Sequence, residues 1–317
     1  MKIRPVILCG GAGTRLWPKT KNYQAKQFIN FGNWTLFGKT IERIKSPFFD
    51  YPIISTNKKY LKEVKKYLKK YKISKYKIVL EPLKKNTGPA ILSTSLISDI
   101  PQQQPMLFLS SDHLIEKPKT FNKVIKKTSK FLSDKNIFIF GIKPTNPSDQ
   151  YGYFFTKSVT NRLKKVKKFT EKPNIQKAKK IIHMGGYWNS GIFLSRKDSI
   201  IFNFKKYQPK MYKNCKMAIY KSKYKDKVCH LNKRNFSNIS SKSFDHAILE
   251  KTKDIYAVNL NIFWSDLGSW KEICLMYNRN KLKYFNKKNT FYRPWGKYTN
   301  LFNGKNFLIK EIHVNPK

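Results

Sequence analysis

Short apolar runs alternate with amphipathic segments along most of the chain, and this order constrains the fold more than any other feature. The run "IFIFGI" at 137–142 suits a buried strand, whereas "KEVKKYLKKYKI" at 62–73 gathers its apolar residues on one face of a helix. Strands that alternate with helices are typical of a sheet with helices on its faces. We therefore predict an α/β fold with a mixed, mainly parallel sheet flanked by helices.

The same patterns give approximate element positions. Strands are expected at 5–9, 52–56, 77–80, 106–110, 136–141, 163–169 and 255–260. Helices are expected at 35–45, 58–71, 89–98, 119–132, 175–182, 243–251 and 269–277, several of them after a Ser, Thr, Asp or Asn cap. The lysine-rich segment 203–241 is expected to be a helix followed by a loop. After the polar stretch 283–290 the pattern becomes short and alternating, so we predict a main domain at 1–285 and a linker with a short β tail at 286–317.

The charge of the chain is extreme, with 66 Lys and Arg against 18 Asp and Glu, a formal net charge of +48. Only eight of the basic residues are arginine, the residue that favours base reading and bidentate phosphate binding. The lysines are spread along the chain and alternate with apolar residues, as on a solvated face. We therefore expect no specific nucleic-acid partner, and only a weak, salt-sensitive attraction to polyanions.

The sequence shows no pattern typical of a membrane span, a signal peptide or a cysteine-based site. The apolar stretches fall far short of the roughly 20 residues that span a bilayer, and the basic N-terminus has too few apolar residues for a signal peptide. Cys9, Cys215, Cys229 and Cys274 show no CxxC spacing, which argues against a disulfide framework or a zinc site. We expect a cytoplasmic protein with reduced thiols and no membrane partner.

A glycine-rich turn, "CGGAGTRLWP" at 9–18, follows the first apolar run. Such a turn exposes backbone N–H groups that can hold phosphate oxygens. A dinucleotide-binding G-x-G-x-x-G loop that starts at Gly11 would have Leu16 in place of its third glycine. The stretch "GNWTLFGKT" at 32–40 ends like a Walker loop, but five residues separate its glycines where that loop has four. Neither of these phosphate loops matches the chain.

The string "GGAGTRLWP", together with "AKQF" at 25–28, resembles the signature of the mannose-1-phosphate guanylyltransferases, also called GDP-mannose pyrophosphorylases. Further motifs follow in the order of that family: "EPLKKNTGPA" at 81–90, "LSSDHLI" at 109–115, "FGIKPTNPSDQYGY" at 140–153, "KFTEKP" at 168–173, "YWNSGIF" at 187–193, "SFDHAILEK" at 243–251 and "WSDLGSW" at 264–270. The resemblance covers about residues 3–278. It implies a Rossmann-like nucleotidyltransferase fold of the GT-A-like type.

The reaction that this resemblance implies is the transfer of GMP from GTP to mannose 1-phosphate, with release of pyrophosphate. Arg15 would clamp the β- and γ-phosphates beside the amides of Gly11, Gly13 and Thr14, and Lys26 would meet the α-phosphate. A general base is unnecessary because the second pKa of a phosphate is about 6. The chain departs from the family at Ala25, where a proline is usual, and at Lys21 and Lys85, where arginines are usual. These lysines keep the charge but lose the bidentate fork.

Two carboxylates are candidate ligands for Mg²⁺. Asp112 follows the predicted buried strand "MLFLSS" at its carboxyl end, where open α/β sheets bind ligands. Asp266 lies in "WSDLGSW", where Gly268 permits a turn. Mg²⁺ takes one or two protein carboxylates and completes its shell with phosphate and water oxygens, so this pair suffices. His113 is a poorer ligand for a hard cation, and we assign it a structural or substrate-orienting role.

The remaining site residues are implied by the resemblance. Those assigned to the sugar are Gly152, Glu171 and Asn189, with Lys172 on the sugar phosphate. Those assigned to the guanine base are Glu81, Pro82, Asn86, Thr87 and the backbone near Gly10. Arg15, Lys26, Asp112 and Lys172 are the candidate catalytic residues.

Two alternatives remain open: the same transfer with another hexose 1-phosphate or nucleotide, and, more distantly, a basic nucleic-acid-binding protein without catalysis. The tail at 291–317 resembles the first strands of a cupin-like phosphomannose isomerase domain. His313 alone cannot form a metal site that needs about three protein ligands, so we expect no isomerase activity. Unpaired strand edges of a cupin fragment favour self-association, and hence a homodimer over a monomer.

Overall fold

A computed structural model describes residues 1–11, 16, 20, 25–31, 33–159, 164–279, 290–304 and 307–316. The strands are β1 (Arg4–Cys9), β2 (Ile53–Asn57), β3 (Lys77–Glu81), β4 (Pro105–Ser110), β5 (Leu114–Ile115), β6 (Ile137–Ile142), β7 (Tyr153–Ser158), β8 (Lys164–Thr170), β9 (Tyr187–Arg196), β10 (Lys223–Lys225), β11 (Val228–His230), β12 (Ile255–Asn259), β13 (Trp264–Ser265), β14 (Thr290–Arg293), β15 (Gly296–Gly304) and β16 (Phe307–Val314). The helices are α1 (Leu36–Arg43), α2 (Leu61–Lys70), α3 (Thr87–Ser95), α4 (Pro118–Thr128), α5 (Ile175–His183), α6 (Lys197–Tyr207), α7 (Pro209–Tyr220), α8 (Lys233–Ser237) and α9 (Trp270–Arg279). A π-helix spans Asp245–Leu249.

One eleven-stranded sheet organises the chain, in the order β10-β11-β3-β2-β1-β4-β9-β6-β12-β8-β7. Strands β11, β3, β2, β1 and β4 are parallel to their neighbours in this series, whereas β9 runs antiparallel to both β4 and β6. Beyond β9, β6 pairs with β12 in parallel, and β8 and β7 continue antiparallel. The predicted mixed α/β fold is confirmed, with its parallel strands concentrated in one half of the sheet.

Both faces of this sheet are buried because the central strands are apolar on both sides. Successive side chains of a strand point to opposite faces, so Ile7, Ile54 and Leu107 pack on one side with Phe37 of α1 and Val64 of α2. Their neighbours Val6, Ile53 and Phe108 pack on the other side with residues of α3, α6 and α7. Helices therefore cover both faces, and the open carboxyl ends of β1–β4 are left to form a site.

Several elements differ from the sequence prediction. Strands β7 and β9 were not predicted. In β9, the residues Asn189, Ser190 and Gly191 interrupt the apolar pattern, and Asn and Gly are depleted in strands. The loop predicted at the end of 203–241 is wrong, since that stretch holds the hairpin β10–β11 and helix α8. The Gly-Lys-Thr of the apparent Walker loop lies inside α1, whose N-cap Thr35 accepts a hydrogen bond from the Gly38 N–H.

The C-terminal residues form the predicted β tail. Strands β14, β15 and β16 make an antiparallel three-stranded sheet separate from the main one. The domain boundary predicted at 285 falls outside the described residues and stays a prediction. In the part of the chain that the structure describes, no helix has the length and apolar character needed to cross a bilayer.

Gly88 tests the packing of α3 against the segment that leads to the π-helix. Its N–H donates to the Lys242 carbonyl at 3.0 Å, and an added Cβ would lie 2.7 Å from that same oxygen. We expect Gly88→Ala to lower the free energy of unfolding by about 1–3 kcal/mol, because the backbone must shift. Chemical denaturation measures this, with Gly11→Ala as the control, since its Cβ would meet none of the described atoms within 4 Å. Equal stability of the two variants would contradict this account of the packing.

Candidate active site

A cavity lies at the carboxyl ends of the parallel strands. Its lining residues are Leu8, Cys9, Gly10, Gly11, Thr56, Asn57, Glu81, Leu83, Lys84, Lys85, Asn86, Thr87, Ala90, Ser110 and Asp112. Of the residues predicted for the nucleotide, Gly10, Gly11, Glu81, Asn86 and Thr87 come together here, whereas Pro82 is not among the lining residues. Gly13, Thr14 and Arg15 lie outside the described residues. Parallel strands place their carboxyl ends at one edge, which is why residues far apart in sequence meet at this cavity.

Glu81 is a buried carboxylate in the wall of this cavity. It ends β3 and is 8% exposed, and the Ser55 hydroxyl donates to its Oε1 at 2.5 Å. Burial raises the pKa of Glu81 to about 7, and the hydrogen bond from Ser55 only partly offsets this effect. The side chain can therefore change protonation state near neutral pH.

Asn86 and Thr87 shape the cavity through local structure. Asn86 has a φ of 71°, and its side chain caps α3 by accepting the Thr87 N–H at 2.9 Å. The Thr87 hydroxyl accepts the Phe244 N–H at 2.9 Å. These two side chains thus fix the loop, while Lys84 and Lys85 add positive charge at the cavity. Lys84 was not predicted as a site residue, because lysine is so common in this sequence that a single one does not stand out.

Lys26 is a buried cation beside this cavity. It is 4% exposed, and its Nζ lies 2.8 Å from Asp112 Oδ2 and also donates to the backbone carbonyl of Asp266. Burial alone would raise the pKa of Asp112, but the charge of Lys26 and other favourable contacts hold it below its ordinary value. The ammonium therefore joins the two segments predicted to hold a metal.

A short strand pair brings those two segments together. In the antiparallel pair of β13 with β5, Ser265 lies opposite Leu114. Asp266 follows Ser265, and Asp112 precedes Leu114 by two residues, so both aspartates sit at the same end of this pair. The pairing of β13 with β5 thus brings the segments of Asp112 and Asp266 together, and the pattern of apolar and polar residues in the sequence does not predict this pairing.

Asp266 and Tyr151 are directly connected. The Tyr151 hydroxyl lies 2.7 Å from Asp266 Oδ1 and 2.7 Å from Glu272 Oε1, and Asp266 Oδ1 also accepts the Gly268 N–H at 3.3 Å. Burial raises the pKa of Glu272, and the nearby Asp266 adds to this effect. Neither Tyr151 nor Glu272 was predicted as a site residue.

His113 packs edge-on against Trp264, with ring centroids 5.3 Å apart. Its Nε2 is 3.9 Å from Asp112 Oδ1, and its Nδ1 is buried without a hydrogen-bond partner among the described residues. Burial lowers the pKa of His113, which favours the neutral ring. The structural or substrate-orienting role assigned to His113 stays a prediction.

The residues predicted for the sugar form a second cluster. The Asn189 N–H donates to the Gly152 carbonyl at 2.8 Å, which joins β9 to the start of β7. A Cβ on Gly152 would lie 2.6 Å from Glu171 Oε2, so only glycine leaves room for that carboxylate. Lys172 is 60% exposed in its side chain, and its Nζ is 3.8 Å from Glu171 Oε1.

Asp245 is a member of this cluster that sequence reasoning missed. It begins the π-helix, and its Oδ1 accepts the Asn189 side-chain amide at 2.8 Å. Burial, together with repulsion from Asp245, raises the pKa of Glu171 to about 7, and burial raises the pKa of Asp245 to about 6. Its motif "SFDHAILEK" was noted without a role for the aspartate, and a π-helix often marks a functional site.

The metal-binding capacity of the site rests on two carboxylates. Among the residues that the structure describes, no group of three or more His, Cys, Asp and Glu side chains could hold a metal ion. Asp112 and Asp266 nevertheless fit Mg²⁺, which takes one or two protein carboxylates when phosphates complete its shell. The Lys26 ammonium lies between the Asp112 carboxylate and the Asp266 backbone carbonyl, so a positive charge is already accommodated beside Asp112.

A comparison of sequences shows a related protein with a named activity. The chain is 34% identical over 279 residues to a mannose-1-phosphate guanylyltransferase of Escherichia coli, covering 85% of this chain and 60% of that relative. The chain thus spans less than two thirds of that relative's length.

Two solved structures share the fold. A protein of Thermus thermophilus named mannose-1-phosphate geranyltransferase superposes with a TM-score of 0.76 at 21% identity, over 87% of this chain and 79% of that one. A Helicobacter pylori protein named mannose-6-phosphate isomerase has a TM-score of 0.73 at 27% identity, over 84% of this chain and 100% of that one.

The family model described as "Nucleotidyl transferase" matches residues 4–280, which include the cavity, the Lys26 contacts and the cluster around Glu171. Since that match extends over most of the sequence, the chain belongs to the nucleotidyl transferase family.

Proposed function

We propose that this protein transfers GMP from GTP to α-D-mannose 1-phosphate, giving GDP-mannose and pyrophosphate. The observation that carries the proposal is the buried Lys26 ammonium, which contacts both Asp112 and Asp266 beside a cavity at the carboxyl ends of parallel strands. The name of the Escherichia coli relative supports the choice of substrates. The contacts of Asp266 with Tyr151, the neighbour of Gly152, link the cavity to the sugar cluster.

The reaction is an in-line displacement at phosphorus. An oxygen of the sugar phosphate forms a bond to the α-phosphorus, the bond from that phosphorus to the bridging oxygen breaks, and pyrophosphate leaves with that electron pair. The attacking phosphate is already largely a dianion at neutral pH, since its second pKa is about 6, so the protein supplies no base. Positioning and charge neutralisation are what the site must contribute.

Named residues divide these tasks. Lys26 would move from Asp112 to the α-phosphate, and Lys172 would meet the sugar phosphate. Glu171 and Asn189 would bind sugar hydroxyls, with Asp245 holding the Asn189 amide in place. Asp112 and Asp266 would hold Mg²⁺, which when bound neutralises charge on the departing pyrophosphate.

Arg15 and the amides of Gly13 and Thr14, which lie outside the described residues, stay predicted partners of the triphosphate. The cytoplasmic location, the homodimer and the lack of a specific nucleic-acid partner also stay predictions.

Guanine is the base that the cavity favours. Its N1–H and 2-amino group are adjacent donors, and the buried carboxylate of Glu81 is a matching acceptor with two oxygens. Sites built to bond a polar group discriminate strongly against analogues that lack it. Other nucleotides and other hexose 1-phosphates are the nearest alternatives.

An activity matrix tests the proposal: GTP, ATP, UTP, CTP and dTTP against the 1-phosphates of mannose, glucose and galactose, with pyrophosphate release as the readout. We expect release to depend on mannose 1-phosphate and to be greatest with GTP. Release with another pair would reassign the substrates, and no release with any pair would refute nucleotidyl transfer.

Interconversion of mannose 6-phosphate and fructose 6-phosphate, assayed with added zinc, is expected to be absent, despite the name of the Helicobacter pylori neighbour.

The pairing of Lys26 with Asp112 separates stability from activity. Asp112→Leu should lower kcat about 100-fold or more, and should lower the free energy of unfolding by about 3–5 kcal/mol because it leaves a buried ammonium without its charged partner. The double variant Lys26→Met with Asp112→Leu should recover most of the stability and none of the activity. Asp99→Ala, which removes an exposed ion pair with Lys77, is the control. Substantial turnover in the double variant would remove both side chains from the chemistry.

Glu81 predicts a pH dependence. Its pKa is raised to about 7 by burial, so below that pH one carboxyl oxygen carries a proton and is a donor, whereas above it both oxygens accept hydrogen bonds. We expect the ratio of kcat/KM for GTP in the wild type to that in Glu81→Gln to rise with pH through about 7, because substrate titrations cancel in the ratio. The same substitution should reduce the preference for GTP over ITP, which lacks the 2-amino group. A ratio independent of pH, with an unchanged preference, would show that Glu81 does not read the base.

A further inference from the structure

Asp266 is held by more contacts than a turn residue requires. Its Oδ1 receives the Tyr151 hydroxyl at 2.7 Å and the Gly268 N–H at 3.3 Å, while its backbone carbonyl accepts from Lys26. The Tyr151 hydroxyl is the nearer of these two donors, since the Gly268 N–H lies closer to Glu272 Oε2, and it restricts rotation of the Asp266 carboxylate about its Cβ–Cγ bond. The orientation of a predicted metal ligand is thus set before any cation arrives.

Tyr151 is itself anchored from two directions. Its ring contacts both Trp188 and Trp264, with centroid distances of 4.9 Å and 5.3 Å. Its hydroxyl lies 2.7 Å from Oε1 of Glu272. The hydroxyl has one proton and donates it to one of the two carboxylates at a time, while the packing and both carboxylates keep it within hydrogen-bond distance of Asp266.

Glu272 connects this arrangement to the first turn of α9. Its Oε2 accepts the Gly268 N–H at 2.6 Å and the Ser269 N–H at 3.1 Å, and its own N–H donates to the Ser269 hydroxyl at 3.3 Å. This reciprocal pattern is a capping box, which normally serves the helix alone. Here the second carboxylate oxygen of the same glutamate reaches Tyr151.

We propose that Tyr151, anchored by Glu272, is a positioning residue that orients Asp266 for the divalent cation. The inference rests on the metal pair of the proposed function, and it extends the set of residues that control that pair. Hydrogen bonds from outside the ligand set orient ligands in many metal sites, and their loss typically costs about 10–100-fold in metal affinity. Tyr151 would act through Asp266 and need not touch the substrates.

The test is Tyr151→Phe in the full chain, because phenylalanine keeps the ring contacts with the two tryptophans and removes only the hydroxyl. Mn²⁺ serves as the probe, and its Kd is measured by electron paramagnetic resonance without substrates. We expect Kd to rise about 10-fold or more. In the Mg²⁺-dependent assay the half-activating Mg²⁺ concentration should rise similarly, while kcat at saturating Mg²⁺ stays within a few-fold of the wild type.

Tyr153→Phe is the matched control. Tyr153 is fully buried two residues away, and its hydroxyl bonds the backbone of Ser148 at 2.9 Å instead of a carboxylate. It should lower thermal stability without changing the Kd for Mn²⁺. Equal changes in Kd for the two variants would reduce Tyr151 to a packing role and overturn the proposal.

Other outcomes are also decisive. An unchanged Kd with a raised KM for mannose 1-phosphate would overturn the proposal and place Tyr151 on the sugar. A wild type that binds Mn²⁺ but transfers no nucleotide would refute the proposed function, while the Kd of Tyr151→Phe would still decide the role of the tyrosine. A wild type that binds no Mn²⁺, with or without GTP, would overturn the metal pair and this role together.

Discussion

The site depends on how one buried ammonium is paired. A charge removed from water is costly unless an opposite charge and hydrogen bonds replace the water, and Lys26 is 4% exposed. Its partners, Asp112 and the carbonyl of Asp266, come from segments that are 86 and 240 residues away in sequence, and only the complete fold brings them to Lys26. The same pairing places two carboxylate-bearing segments around one position that fits a cation. Stability and preparation for phosphate chemistry therefore rest on the same contacts in this protein.

Most of the strands that the sequence predicted have side chains that are buried on both faces of the sheet. Strands β1–β4 are short apolar runs between helices with amphipathic faces, and their parallel order puts Gly10, Glu81 and Asp112 at one edge. The unpredicted strand β9 carries polar residues because its middle borders the site. Asn189 donates to Asp245, and Gly191 takes a φ of 69° beside His113, so contacts across the fold obscure the strand pattern.

A similar limit applies to the site residues. Lys26, Asp112, Glu171 and Asn189 lie in motifs whose resemblance identifies them, and the structure places them around two connected clusters. Tyr151, Asp245 and Glu272 also lie in or beside those motifs, yet their roles are contacts across the fold. Tyr151 meets Asp266 across 115 residues, and Asn189 meets Asp245 across 56. Periodicity reports which face of an element is buried, but it does not report which distant side chain a hydroxyl or amide will reach.

In the proposed function, selectivity would depend on how charge is distributed over the chain. A net charge of +48 attracts any polyphosphate, and such attraction weakens with salt and distinguishes little between anions. Selection of a particular base and sugar must therefore come from groups that a surface lysine cannot imitate. Of the 18 acidic residues in the chain, six line the cavity or take part in the contacts around Lys26, Tyr151 and Glu171: Glu81, Asp112, Glu171, Asp245, Asp266 and Glu272. Because four of these, Glu81, Glu171, Asp245 and Glu272, have pKa values raised by burial, their acceptor strength depends on what is bound against them. Lysines on the surface would gather the anionic substrates, and the few buried carboxylates would decide which of them is held in a reactive position.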